Sequence, residues 1–223
     1  MAMEAAPPKL EPKPLVVDAS GVEQSLAVAS LLTMSGGFLD AFTWLSLGGV
    51  FGSSHTGNVV FVGMYAASGQ WHQAAHHLLP ILAFLAGASL AIRLNAPLLC
   101  LCGKIVCLAA VMLTLHRISE PVAIIGISFG SALQSASFRQ VGRLNYLSVA
   151  VTGNMFRTLD QLAAIPRAEA ARGAVAMLTI CLMFLFGAAV GGWATLRFDA
   201  ASLALPITLS TFALWLCRRR RAI

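Results

Sequence analysis

The sequence predicts an all-α membrane protein: six transmembrane helices as two inverted three-helix repeats, each with a re-entrant or broken helix at Thr-Gly-Asn. Three observations lead there. The 223 residues are 58% hydrophobic and 11% charged, with a mean hydropathy of +0.79; a soluble domain carries roughly 25% charged residues. Six apolar runs approach the ~20 residues that cross a bilayer: Leu26–Phe51, Leu78–Leu94, Leu98–Leu115, Val122–Phe138, Ala174–Leu196 and Ala200–Leu216. Finally, Thr-Gly-Asn occurs twice within apolar sequence, in FGSSHTGNVVFVG (Phe51–Gly63) and SVAVTGNMFRTLD (Ser148–Asp160).

Residues 1–23 hold four prolines, mixed charges and no apolar run, the composition of a disordered cytoplasmic tail. They lack the adjacent basic and apolar regions of a secretory signal, so the first span is taken as retained. Residues 24–217 form the integral membrane domain, with repeat one at 24–117 and repeat two at 118–217. Residues 218–223 form a basic cytoplasmic tail. The net charge of +6 owes much to Arg218–Arg221 directly after an apolar run, which reads as a membrane anchor. It does not indicate nucleic-acid binding, because no aromatic-flanked basic stripe accompanies it. The five cysteines lie in or at the end of apolar spans and read as buried thiols, with no disulfide framework implied.

Lys and Arg collect in cytoplasmic loops, and this sets the span count. Six spans with both termini inside place twelve basic residues in the cytoplasm and two, Arg117 and Arg197, outside. Eight spans, with both Thr-Gly-Asn segments crossing, give ten against four. Six is the better arrangement. The connection Gly52–His77 then faces outward without a Lys or Arg, and Arg139–Arg172 faces inward with five arginines. The two tripeptides therefore enter from opposite sides.

Further matches support two homologous halves. Gly36 and Asp40 align with Gly130 and Gln134, and FLAGA (Phe84–Ala88) aligns with FLFGA (Phe184–Ala188), in the same order around the tripeptides. Three spans per half force the second half upside down, the inverted-repeat plan of many secondary transporters.

Thr-Gly-Asn suits a helix that restarts within the membrane. Thr can cap free N–H groups, Gly permits unusual backbone angles, and Asn can bond nearby backbone. The apolar continuation Val59–Ala67 is about 13 Å long as helix, too short to span. A half-helix aims its positive dipole end into the protein, where irregular backbone survives only if buried or lining a wet cavity. One reading is a site for an anion or polar solute between two such ends; the other is a pair of packing turns.

Asp40 is the only acidic residue between Glu23 and Glu120 and sits within a span. A lone carboxylate there costs about 2.5–3.5 kcal/mol on insertion scales and should face the bundle interior. Proton or cation coupling is one role; a hydrogen bond to Thr33, Thr43 or backbone N–H groups is the other. The candidate substrate-binding residues are Asp40, Thr56, Gly57, Asn58, Gln134, Thr152, Gly153 and Asn154, with His55 and Arg139 as secondary candidates. Arg139 could bind anions, pair with Asp40 or snorkel to headgroups. Arg157 and Asp160, three apart on a helix, suggest a local ion pair. His72 and His76 share a helix face but lack a third ligand, so no metal site or cofactor is expected. The spacing of Gly187 and Gly191 suits close helix packing.

The segments GGFLDAFTWLSLGGVF with TGN, then GSALQSASFRQVG with VTGN, resemble the YoaK family of bacterial membrane proteins, a family of unknown function. The likeness covers roughly residues 25–217, with Ser135 and Asn154 departing from the family's usual residues. It implies a multi-span bacterial inner-membrane protein and names no substrate or reaction. The functional expectation is a small-solute transporter or channel with a midplane site, set in the lipid bilayer, with a proton or cation as the candidate coupling ion. Six short spans leave little room for a wide path, which makes a homodimer plausible. The alternative is a non-transporting membrane scaffold or partner-binding protein. An intramembrane enzyme is disfavoured, since no nucleophile or metal set is visible; nucleic acid is not expected as a partner.

Overall fold

A computed structural model of the chain describes residues 24–164 and 168–221. Eight helices run in order: α1 (Leu26–Ser46), α2 (His55–Ala67), α3 (Trp71–Leu94), α4 (Pro97–Thr114), α5 (Glu120–Ser137), α6 (Val151–Ala163), α7 (Ala168–Phe198) and α8 (Ala204–Arg221). Four stretches have the length and apolarity to cross a membrane: Leu26–Ser46, Trp71–Leu94, Pro97–Thr114 and Glu169–Arg219. The last runs through α7, a short 3-10 turn (Asp199–Leu203) and α8. This is the pattern of a multi-pass membrane protein. At 18 residues α5 could also cross, but its composition is more polar. Ten of its residues are buried against neighbouring helices, so it has little need of a lipid-compatible surface.

The all-helical expectation requires one amendment. Gln140–Val141 pairs antiparallel with Leu144–Asn145 in a small hairpin between α5 and α6. Helix boundaries also move. The first span ends at Ser46 rather than Phe51 because Gly48 and Gly49 adopt positive φ, a conformation open to glycine that breaks the helical repeat. Helix α3 begins at Trp71, so the histidine cluster lies on the helix itself. Arg218–Arg221 belong to the last turn of α8 instead of a separate tail, and Arg219 sits 5.2 Å over the Trp215 ring. The expected tail at 1–23 lies outside the described residues, as do residues 222–223.

The packing repeats itself between the halves. Helix α1 packs on α7 as α5 packs on α3; α2 lies on α3 as α6 lies on α7; α4 meets α5 as α8 meets α1. Close approach depends on small residues at equivalent places. A Cβ at Gly187 would overlap the Met34 carbonyl of α1, and one at Gly37 would overlap the Phe184 carbonyl of α7. In the other pair, a Cβ at Gly87 would meet the Phe129 carbonyl of α5. Phe38, Leu39 and Phe42 of α1, Leu108 of α4, and Ile124 and Ile127 of α5 form the largest apolar core. Contacts join several helix ends: His76 and Glu120 lie 3.5 Å apart, His116 and Asp199 3.4 Å apart, and Gln24 bonds Gln140.

Candidate functional site

Helices α2 and α6 have 13 residues each, about 20 Å at 1.5 Å per residue and short of the ~30 Å hydrocarbon core. Both begin at the tripeptides. Ser54 and Ala150 occupy the N-cap positions, so Thr56 and Thr152 are the second helical residues and the two asparagines the fourth. The capping role expected of threonine therefore falls elsewhere.

Asn58 reaches back to a residue seven places earlier. Its Oδ1 accepts the Phe51 N–H at 3.0 Å and its Nδ2 donates to the Phe51 carbonyl at 2.7 Å. Asn154 does the same with Leu147, at 3.1 and 2.7 Å. Each side chain replaces a piece of sheet ladder, satisfying backbone that has no helical partner. In the first half the supply is complete over four residues. Asn58 takes the N–H of Phe51, Thr43 Oγ1 that of Gly52 at 2.9 Å, and Asp40 Oδ1 those of Ser53 and Ser54 at 2.6 and 3.2 Å. The buried Asp40 carboxylate thus holds the turn that launches α2, the role its position also allowed from sequence.

Those bonds fix the orientation of the Asn58 amide, and that assigns two histidines. With Nδ2 a donor, His55 Nδ1 at 3.2 Å must accept; with Oδ1 an acceptor, His77 Nδ1 at 3.4 Å must donate. All four hydrogen-bonding positions of Asn58 are then used. His77 stacks on Phe61 and Tyr65, and His55 meets Phe84 edge-on.

Gln134 lies buried on α5. Its Nε2 donates to the Leu32 carbonyl and to Ser148 Oγ, both at 3.1 Å, and its Oε1 accepts from Lys104. Lys104, fully buried on α4, also donates to Ser35 Oγ at 2.7 Å.

The two turns touch. Ser54 Oγ donates to the Val149 carbonyl at 2.8 Å, joining the segments ahead of α2 and α6. Beside this contact lies a cavity of about 560 Å³ walled by both helix starts: Ser53, Ser54, His55 and Thr56 from one, Val149, Ala150, Val151 and Thr152 from the other, with Ser135 and Arg139 from the α5 end. Helix N-termini favour anions, and Arg139 adds a positive charge.

Of the expected residues, the structure gathers Thr56, Thr152, His55 and Arg139 around this cavity. Asp40 and Gly57 line a separate depression with Trp44, Phe51 and Phe184. Asn58, Asn154 and Gln134 are buried and occupied by internal bonds. Gly153 lies against the Arg157 guanidinium. The Arg157–Asp160 ion pair does not form; among the described residues the close contacts between basic and acidic side chains are His76–Glu120 and His116–Asp199. No group of three or more His, Cys, Asp or Glu side chains gathers there. Ser54, Val149 and Ser148 join the site beyond the residues expected from sequence, their signal being the Ser-Ser pair and the Ser-Val-Ala run ahead of the tripeptides. Lys104 joins them too, a lysine inside an apolar span.

The sequence model of a family described as "Protein of unknown function (DUF1275)" matches residues 28–216. No curated protein and no solved structure matches the chain.

Proposed function

The chain belongs to the DUF1275 family of proteins of unknown function, and from its site we propose a small-solute transporter or channel. Its solute is polar or anionic and binds at the midplane where two half-helix N-termini meet. The carrying observation is the Ser54–Val149 contact beside a cavity lined by both helix starts and Arg139.

The accompanying topology has six spans, α1, α3, α4, α5, α7 and α8, as two inverted repeats with α2 and α6 re-entrant. The paired helix contacts and the twin asparagine clamps support it. So does the sorting of helix ends: the α3 and α5 starts meet through His76 and Glu120, while the start of α1 meets the hairpin through Gln24 and Gln140. The distribution of Lys and Arg supports a bacterial inner-membrane protein with both termini on the cytoplasmic side, in keeping with the YoaK resemblance. The chemistry is not enzymatic in this reading.

Uptake of labelled inorganic phosphate, nitrate and acetate into proteoliposomes tests the proposal. Flux above protein-free vesicles is expected for at least one, and Thr152→Trp, which fills the cavity, should remove it. No flux for any of them, or flux untouched by Thr152→Trp in a folded protein, contradicts it. A scaffold role is the second reading, favoured by the internal use of Asp40, Asn58 and Asn154.

A further inference from the structure

Lys104 is the one basic residue among the described residues that is fully buried. Its Nζ has two acceptors, Ser35 Oγ and the Gln134 carbonyl oxygen. An ammonium carries three donors, whereas a neutral amine carries two N–H groups. Two acceptors match the amine.

The surrounding charges point the same way. Among the described residues no carboxylate lies within ion-pair distance of Lys104. On α1 the only acid is Asp40, whose Oδ1 is taken by the Ser53 and Ser54 N–H groups. The acid of α5, Glu120, stands at the opposite end against His76, and Asp199 of the 3-10 turn pairs with His116. Helix α8 presents Cys217 and, at its end, Arg218 and Arg219; α4 itself carries Cys100, Cys102 and Cys107. No carboxylate stands among them opposite the amine. A buried ammonium without a counter-charge is strongly disfavoured.

The hydrogen bonds run in one direction from Lys104 to the cavity. Lys104 donates to Gln134 Oε1, and Gln134 Nε2 donates to Ser148 Oγ. Ser135 commits its own proton to the Ser131 carbonyl at 2.9 Å, so across the 3.4 Å gap Ser148 is the donor and Ser135 the acceptor. Ser135 lines the cavity between the half-helices. We propose that Lys104 is a proton-binding site that rests as a neutral amine, and that a proton taken there accompanies an anion entering that cavity. On protonation the amine lone pair takes a proton from hydronium, releasing water, and leaves a third N–H without an acceptor. An anion in the cavity then restores neutrality through the Gln134–Ser148–Ser135 chain. Only this pairing rests on the transporter reading; the state of the amine does not.

The chain has three lysines, Lys9, Lys13 and Lys104, which makes a direct test simple. Full-length protein labelled with [ε-13C]lysine in lipid nanodiscs should give one resonance at the free-amine position near neutral pH and two at the ammonium position. Lys9→Arg and Lys13→Arg assign the spectrum. Acidification should move the Lys104 resonance to the ammonium position, and inorganic phosphate, nitrate or acetate, whichever the vesicles take up, should move that conversion to higher pH. A Lys104 ammonium signal at neutral pH overturns the proposal. A titrating amine indifferent to the transported anion overturns the pairing. If the amine is seen but no vesicle uptake occurs, the transporter reading fails while the amine assignment holds.

Discussion

Replacing Asp40 by Asn and by Ala separates its two possible roles. Both substitutions remove the charge, so the cost of burying a carboxylate cancels in their comparison. Asn keeps an Oδ1 where the Ser53 and Ser54 N–H groups can find it at 2.6 and 3.2 Å. Ala leaves both donors in a region where Ser53 is 1% exposed. An orphaned buried N–H costs about 1–3 kcal/mol and the half-buried Ser54 donor adds less, so Asp40→Ala should be less stable than Asp40→Asn by about 1–4 kcal/mol. Relative to wild type, Asp40→Asn loses charge-assisted bonding but escapes the carboxylate's burial, and should fall within about 2 kcal/mol. Reversible unfolding in lipid–detergent mixtures with increasing dodecyl sulfate measures both differences. Equal stability of the two variants would refute the claim that the carboxylate holds this turn. A folded Asp40→Asn protein that lost all solute uptake would show a role for the charge beyond that turn.

Four further outcomes follow from the geometry. Asn154→Ala should cost about 2–5 kcal/mol through its two lost backbone bonds, and Asn58→Ala more, because His55 and His77 also lose a partner; the same unfolding assay compares them. Gly187→Ala places a methyl against the Met34 carbonyl and should destabilise the α1–α7 contact by about 1–3 kcal/mol or more, whereas Gly63→Ala, with open space around it, should be neutral or stabilising by up to ~1 kcal/mol. Arg139→Gln should reduce anion uptake or binding about tenfold while leaving stability within ~0.5 kcal/mol, since its side chain is exposed; unchanged affinity by titration would remove it from the site. Ser68→Cys and Glu169→Cys should react with a membrane-impermeant maleimide from opposite faces, and labelling from one face would rule out six spans.

Composition and hydropathy alone determined that this chain is a bundle of apolar helices, because lipid-exposed and buried positions both demand apolar side chains and spans recur at bilayer length. The same reading located two short helices starting at Thr-Gly-Asn, since the polar tripeptide interrupts apolar sequence and its continuation is too short to cross. It could not say what the tripeptides do. Asn58 bonds Phe51, Asn154 bonds Leu147, and Asp40 bonds Ser53 and Ser54, and a side chain's choice between ligand and backbone depends on where the turn folds back. The small hairpin after α5 was illegible for a related reason, its two-residue strands being too short to show a period. Only the tertiary structure decided that Ser54 meets Val149 across 95 residues and that a cavity forms beside them. It also turned Lys104 from a lone charge in a span into the head of a hydrogen-bonded chain. Those outcomes depend on how closely α1 approaches α7 and α3 approaches α5, a distance set by glycine-to-carbonyl contacts between helices remote in sequence.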